Sequence, residues 1–283
     1  MCIRDSHFTH DHPSSQLYRF GEVNPYTEAF FKWWETDLHK TLQELRITGG
    51  EPLMSGELWK LLDWFKLNRG KSKTRLAINS NLGAEVDIDR LLDSVVGQEV
   101  DIYTSQESVA GQAEYIRDGL DYNVWFRNVQ KLLDSDDIRA VHCMATINAL
   151  CLETLPSLLT SIMHLKQCYG RDRVNFTLNI LRFPSFQSPL VLPEYLRNTF
   201  MLSLKEWLER HAQDPLMHEH EINHLQRLID YLDVVKTPHS DTFEMPKLHN
   251  DFRQFYTQYD QRRSKNFTAT FPLLAEWYDS IQV

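Results

Sequence analysis

Between residues 44 and 181, short β-prone runs alternate with amphipathic helical stretches, and this alternation constrains the fold more than any other feature of the chain. Leu45-Arg46-Ile47-Thr48 is β-prone and stops at Gly49-Gly50. Leu76 to Asn79, Val100 to Thr104, Ile138 to Ile147 and Val174 to Leu181 have the same character. Ser55 can cap an intervening helix with Leu58, Leu61, Leu62 and Phe65 on one stripe, stopping near Arg69-Gly70. Asp87 opens another through Leu91, Leu92 and Val95, and further helices cover Ala113 to Arg117, Val124 to Leu133 and Leu152 to Tyr169, with a break at Gly119. Five βα repeats in about 140 residues predict an α/β fold with a parallel sheet covered by helices, because parallel neighbours need a long crossover.

The flanks are helical. Asn24-Pro25 reads as an N-cap with proline at the first helical position, opening a helix to about Leu42 with Phe30, Trp34, Leu38 and Leu42 on one face. The group Phe30, Phe31, Trp33 and Trp34 suits packing onto the sheet layer better than a ligand platform. After Pro184 a loop marked by Pro189 and Pro193 leads into helical periodicity at Leu196–Leu208, Ile222–Val235, Phe252–Arg263 and Leu273–Tyr278. The expected organisation is a βα unit over residues 7–195 and a helical extension over 196–283 packed on it. Met1-Cys2-Ile3-Arg4-Asp5-Ser6 resembles a translated sequencing adapter and is set aside, with the expectation that a true N-terminal part is lost and that Cys2 serves no site.

Composition narrows the function classes. The chain has 39 acidic and 30 basic side chains, a net charge of -9, and no dense Lys/Arg run, which argues against a nucleic-acid partner. No apolar stretch reaches the roughly 20 residues that cross a bilayer, so no membrane partner is expected. The four cysteines, Cys2, Cys143, Cys151 and Cys168, are too few for a disulfide framework and suit a reducing, cytoplasmic compartment.

In a parallel βα array the loops after the strands share one face, where ligand sites form. Polar and glycine residues gather there: Gly49-Gly50-Glu51-Pro52, Asn79-Ser80-Asn81, Ser105-Gln106-Glu107-Ser108, Asn148 and Arg182. Two glycines let backbone approach a ligand, and Glu51 could accept from an ammonium or hydroxyl group. The same residues could instead make a tight turn and favour the following helix dipole. His211, His218, His220 and His224, with Glu219 and Glu221, have the residue types of a metal cluster, but Pro215 to His220 reads as a solvated connector. His7, His10 and His12 carry no stronger signal, and no metal ligands are assigned.

Glu44-Leu45-Arg46-Ile47-Thr48-Gly49-Gly50-Glu51-Pro52-Leu53 resembles the strand and Gly-Gly-Glu-Pro motif of the radical S-adenosylmethionine (SAM) enzymes. Asn79-Ser80-Asn81, Tyr103 to Ser108 followed by Glu114 to Gly119, and Thr146-Ile147-Asn148 match later landmarks of that family, over residues 24 to 195. The branch with a "twitch" cluster segment is the most similar. The resemblance implies a partial (β/α) TIM-like barrel, lacking its first strand and with a helical C-terminal extension. Gly49, Gly50, Glu51 and Pro52 would hold the methionyl end of SAM. Asn79, Ser105, Arg117 and Asn148 would line the rest, with Ser105 and Arg117 at ribose and carboxylate. In the intact protein a 4Fe-4S cluster and an electron donor such as a flavodoxin or ferredoxin would generate a 5′-deoxyadenosyl radical, acting on a peptide or another polar substrate.

The family's Cys-x-x-x-Cys-x-x-Cys motif is absent from this chain, so the cluster's ligands are absent too, and the chain as given is expected to hold SAM weakly without turning it over. The competing reading is a cluster-free α/β module that uses the same mouth to bind a peptide or small ligand. An aldolase-like barrel would need a strand-end lysine or paired carboxylates, and only Glu51 and Glu107 offer such a pair.

Overall fold

The structure, a computed structural model, describes residues 24–233 and 245–282. The expectations for Met1 to Ser6, for His7, His10 and His12, and for a helix end at Val235 lie outside the described residues. Asn24 caps α1 (Pro25–Trp33), its Oδ1 accepting from the Tyr26 amide at 3.0 Å. One π-helical turn, Trp34–Leu38, joins α1 to α2 (His39–Thr41), so the expected helix to Leu42 is present with a widened middle. That turn buries Trp34 completely, edge-on to Trp64 and against Phe65, while Trp33 faces solvent.

Five strands follow: β1 (Glu44–Ile47), β2 (Arg75–Ser80), β3 (Val100–Ser105), β4 (Ile138–Ile147) and β5 (Val174–Ile180). They form one all-parallel sheet in sequential order, β1-β2-β3-β4-β5. The crossovers are α3 (Gly56–Leu67), α4 (Ile88–Ser94), the pair α5 (Ala110–Ile116) and α6 (Tyr122–Leu133), and α7 (Leu155–Tyr169). Every crossover steps in the same direction, and right-handed connections therefore set these helices on one face of the sheet. Asp87 and Asp121 cap α4 and α6 through their side chains.

Alternation along each strand divides the sheet. Leu76 and Ile78, Val100 and Ile102, Val141, Cys143 and Ala145, and Val174, Phe176 and Leu178 face the helices and are buried. Burying each Leu, Ile or Phe stabilises the fold by about 1.5–3 kcal/mol. Thr104 shares that face and accepts from Trp125 Nε1 at 2.9 Å, which satisfies two polar groups in an apolar layer. The opposite face carries Glu44, Arg46, Arg75, Asn79, Asp101, Tyr103, Ser105 and His142.

After β5 come α8 (Glu194–His211), α9 (Glu219–Asp233), α10 (Met245–Arg263), α11 (Phe267–Thr270) and α12 (Pro272–Ser280). α9 seals the outer edge of β5 with side chains. The Phe176 amide donates to Glu221 Oε1 at 3.0 Å, the Leu178 amide to His224 Nδ1 at 2.9 Å, and Arg227 donates to the Leu178 carbonyl at 2.5 Å. Positions 221, 224 and 227 fall on one helical face, so three side chains replace the ladder of a neighbouring strand. Fully buried Lys166 of α7 donates to Glu221 Oε2 at 2.5 Å and to the Leu216 carbonyl at 2.9 Å. Burial pulls the Lys166 pKa down, while Glu221 favours its charged form. The Pro215–His220 stretch is a connector that is solvated only in part: Pro215, Glu219 and His220 are exposed, while Met217 is buried and the His218 amide donates to Glu221. α10 and α11 pack against α5, where Tyr115 donates to Asp260 at 2.6 Å and Tyr259 donates to the Tyr115 carbonyl at 2.8 Å.

Candidate functional site at the strand ends

At the end of β1, Gly49 adopts a φ of +131°, in the region that disfavours side chains. A Cβ added at Gly49 or Gly50 would meet nothing within 4 Å, so the turn leaves open space beside its backbone. Glu51 divides its carboxylate, Oε1 accepting from the Leu53 amide at 3.1 Å and Oε2 from the Asn81 amide at 2.7 Å. It begins the 3-10 turn Pro52–Met54 and ties the loop after β1 to the loop after β2. Asn79 and Ser105 follow on adjacent strands of the open face, half-buried, and neither side chain has a hydrogen bond to another described residue.

Arg117 and Asn148 meet elsewhere on the rim, at a cavity of about 240 Å³ lined by Glu107, Arg117, Thr146, Asn148, Tyr256 and Tyr259 among others. Arg117 grips Glu107 with two parallel hydrogen bonds, Nε to Oε2 at 2.6 Å and Nη2 to Oε1 at 2.5 Å. Burial opposes the Arg117 charge, but Glu107 outweighs it and raises the guanidinium pKa. The Thr146 amide adds a third donor to Glu107 at 3.3 Å. Asn148 uses Oδ1 to accept from the Leu150 amide at 2.8 Å, closing the loop after β4. Gly49, Gly50, Glu51, Pro52, Asn79 and Ser105 do not line this cavity. The strand ends thus offer two neighbouring regions, an open one at β1–β3 and a partly closed one at β3–β5 flanked by α10.

Other residues expected at the mouth have different roles. Gln106 is buried and donates to the Ser108 carbonyl at 2.8 Å, and Arg182 lies 5.7 Å over the Tyr231 ring. His142 sits on the open face stacked on Tyr103, in register with Asn79 across β3. Glu107, engaged by Arg117, does not pair with Glu51. Sequence reasoning missed Tyr256 and Tyr259, which come from a helix over 70 residues downstream of the last strand. It also missed the polar face, although the alternation Arg75, Asn79 and Asp101, Tyr103, Ser105 carries a readable period of two.

Cys143 and Cys151 are buried and Cys168 is exposed on α7. Burial, with Glu107 nearby, pushes the Cys143 thiol up to about 12 and raises Cys151 as well. Such thiols are poor metal ligands, because ligation requires the thiolate. Among the described residues no group of three or more His, Cys, Asp or Glu side chains is arranged to hold a metal ion. Also among the described residues, no helix is long and apolar enough to cross a membrane.

Asp101 supplies a pH dependence. Burial disfavours its charge, but neighbouring His142 and the hydrogen bonds from Arg139 prevail and hold the carboxyl below its usual range. A carboxyl with a depressed folded-state pKa stabilises the protein above its unfolded-state value, about 3.9, and loses that contribution as pH falls toward the folded value. Urea midpoints should therefore drop below about pH 4, and Asp101→Asn should flatten that part of the profile while lowering stability at neutral pH.

Comparisons of the chain with protein-family models, with curated proteins and with solved structures give no match.

Proposed function

We propose that the strand-end rim at β1–β3 holds S-adenosylmethionine and that the chain is the SAM-binding part of a radical SAM enzyme built on a partial (β/α) barrel. The observation that carries this reading is the juxtaposition of the open Gly49-Gly50 turn with Asn79 and Ser105, two half-buried polar side chains on neighbouring strands without hydrogen-bond partners among the described residues. Backbone carbonyls of the glycine turn would accept from the methionyl ammonium. Asn79 and Ser105 would hydrogen-bond the ribose hydroxyls, and Glu51 would act by fixing the two loops together. SAM in that family supplies a radical after one-electron reduction by an iron–sulfur cluster. The described cysteines do not fit such a cluster: two are buried with their thiol pKa values raised by burial, the third lies on α7, and no radical step is assigned to this chain's residues. Those same buried thiols favour, as a second reading, a cluster-free module that binds a small polar ligand at the rim.

Calorimetric titration of SAM tests the reading. Saturable binding below about 10 mM is expected, and Asn79→Ala with Ser105→Ala should weaken it about tenfold. Absence of binding, or binding indifferent to both substitutions, would overturn it. After reconstitution with iron, sulfide and dithionite, no 5′-deoxyadenosine should form; steady production would refute the argument from the cysteines.

A further inference from the structure

We propose that the open face of the sheet, below the rim, binds a small organic molecule carrying two or more oxyanion groups through Arg46, Arg75 and Arg139. Parallel sheets are ordinarily covered on both faces by apolar layers, so a polar face on one is unusual. Here the polar groups are layered. Asp101 is only 1% exposed and receives Arg139 through two hydrogen bonds, while Arg75 approaches it to 3.7 Å and also pairs with Glu44. The guanidinium groups lie outermost, with side chains of Arg46, Arg75 and Arg139 exposed to 54%, 36% and 47%. Glu44 and Asp101 hold the three arginines and Glu99 lies near Arg139, yet the guanidinium edges stay exposed, in a protein of net charge -9.

The platform is braced. Arg46 lies 4.8 Å over the Tyr103 ring, and Tyr103 stacks on His142 with centroids 4.4 Å apart and planes 17° from parallel. His142 Nδ1 is 2.7 Å from Asn175 Oδ1, while its buried Nε2 has no hydrogen-bond partner among the described residues and lies 3.5 Å from Asp101 Oδ1. The inner carboxylates fix the guanidinium planes, so part of the ordering entropy of an anion site is met before binding. Arg46 and Arg75 share the Glu44 carboxylate, and Arg75 and Arg139 both approach Asp101 Oδ2, so the three guanidinium groups form a row linked through two carboxylates, longer than one oxyanion can bridge. Carboxylate and phosphate share the geometry that guanidinium recognises.

Titrations with citrate, pyrophosphate and acetate at constant ionic strength and without SAM distinguish the sources. Citrate or pyrophosphate should bind saturably below about 10 mM, acetate far more weakly, and the tighter of the two identifies carboxylate or phosphate. Arg46→Gln should weaken binding about tenfold, and Arg139→Gln at least as much. Arg139→Gln uncovers buried Asp101 and could unfold the protein, so Arg46→Gln is decisive, because Glu44 keeps Arg75. Lys60→Gln, on α3, should change nothing. Failure of both polyanions to bind, or full affinity in Arg46→Gln, overturns the proposal; the SAM reading is judged separately, by SAM titration of the Asn79→Ala, Ser105→Ala variant, which keeps all three arginines.

Discussion

Glu221→Ala is expected to destabilise the protein by about 3–5 kcal/mol, among the largest effects of any single substitution. The change leaves fully buried Lys166 without its counter-ion and strips acceptors from the Phe176 and His218 amides. An isolated buried ammonium cannot recover its hydration, so the cost exceeds that of a lost neutral hydrogen bond. Glu221→Gln should be milder, since its carbonyl can still serve the Phe176 amide. Adding Lys166→Met to Glu221→Gln should restore most of the stability, because it removes the stranded charge instead of replacing its partner. Urea denaturation followed by circular dichroism reads all four proteins; a loss under about 1 kcal/mol in Glu221→Ala would show that α9 does not hold the sheet edge.

The second large effect is expected at the Glu107–Arg117 pair. Arg117→Met leaves Glu107 buried with only the Thr146 amide as donor, and should cost about 3–5 kcal/mol. Arg117→Lys should recover only part of this, because an ammonium cannot reproduce two parallel hydrogen bonds. A double variant, Glu107→Leu with Arg117→Met, should be more stable than Arg117→Met alone. SAM affinity separates structure from binding. If Arg117 reaches the ligand, affinity stays lost in the stabilised double variant; if it serves only Glu107, affinity returns with stability.

Much of the fold was legible because backbone rules act locally. Apolar residues spaced for helices, runs of Val, Ile and Leu, and the caps at Asn24 and Asp87 placed the five strands and their crossovers within a few residues. What was not legible depends on partners distant in sequence. Glu221 and His224 have the residue types of a metal cluster, and only their position along the β5 edge, with Arg227 on the same face, makes them substitutes for a strand. Arg117 reads as a ligand contact until Glu107, ten residues earlier, is seen across the turn. The π-helical turn at Trp34–Leu38 has no periodic signature, since it shifts the register within a helix that otherwise follows the expected pattern.

The sealing of β5 makes any growth of the sheet one-directional. Hydrogen-bonding groups on that side are already consumed by α9, whereas among the described residues no strand lies on the outer side of β1. An additional strand, from this polypeptide or another, would have to dock beside Glu44–Ile47, and its far end would then stand next to the double-glycine turn. Chemistry brought by such a newcomer would therefore arrive at the open portion of the rim, away from the cavity beside α10.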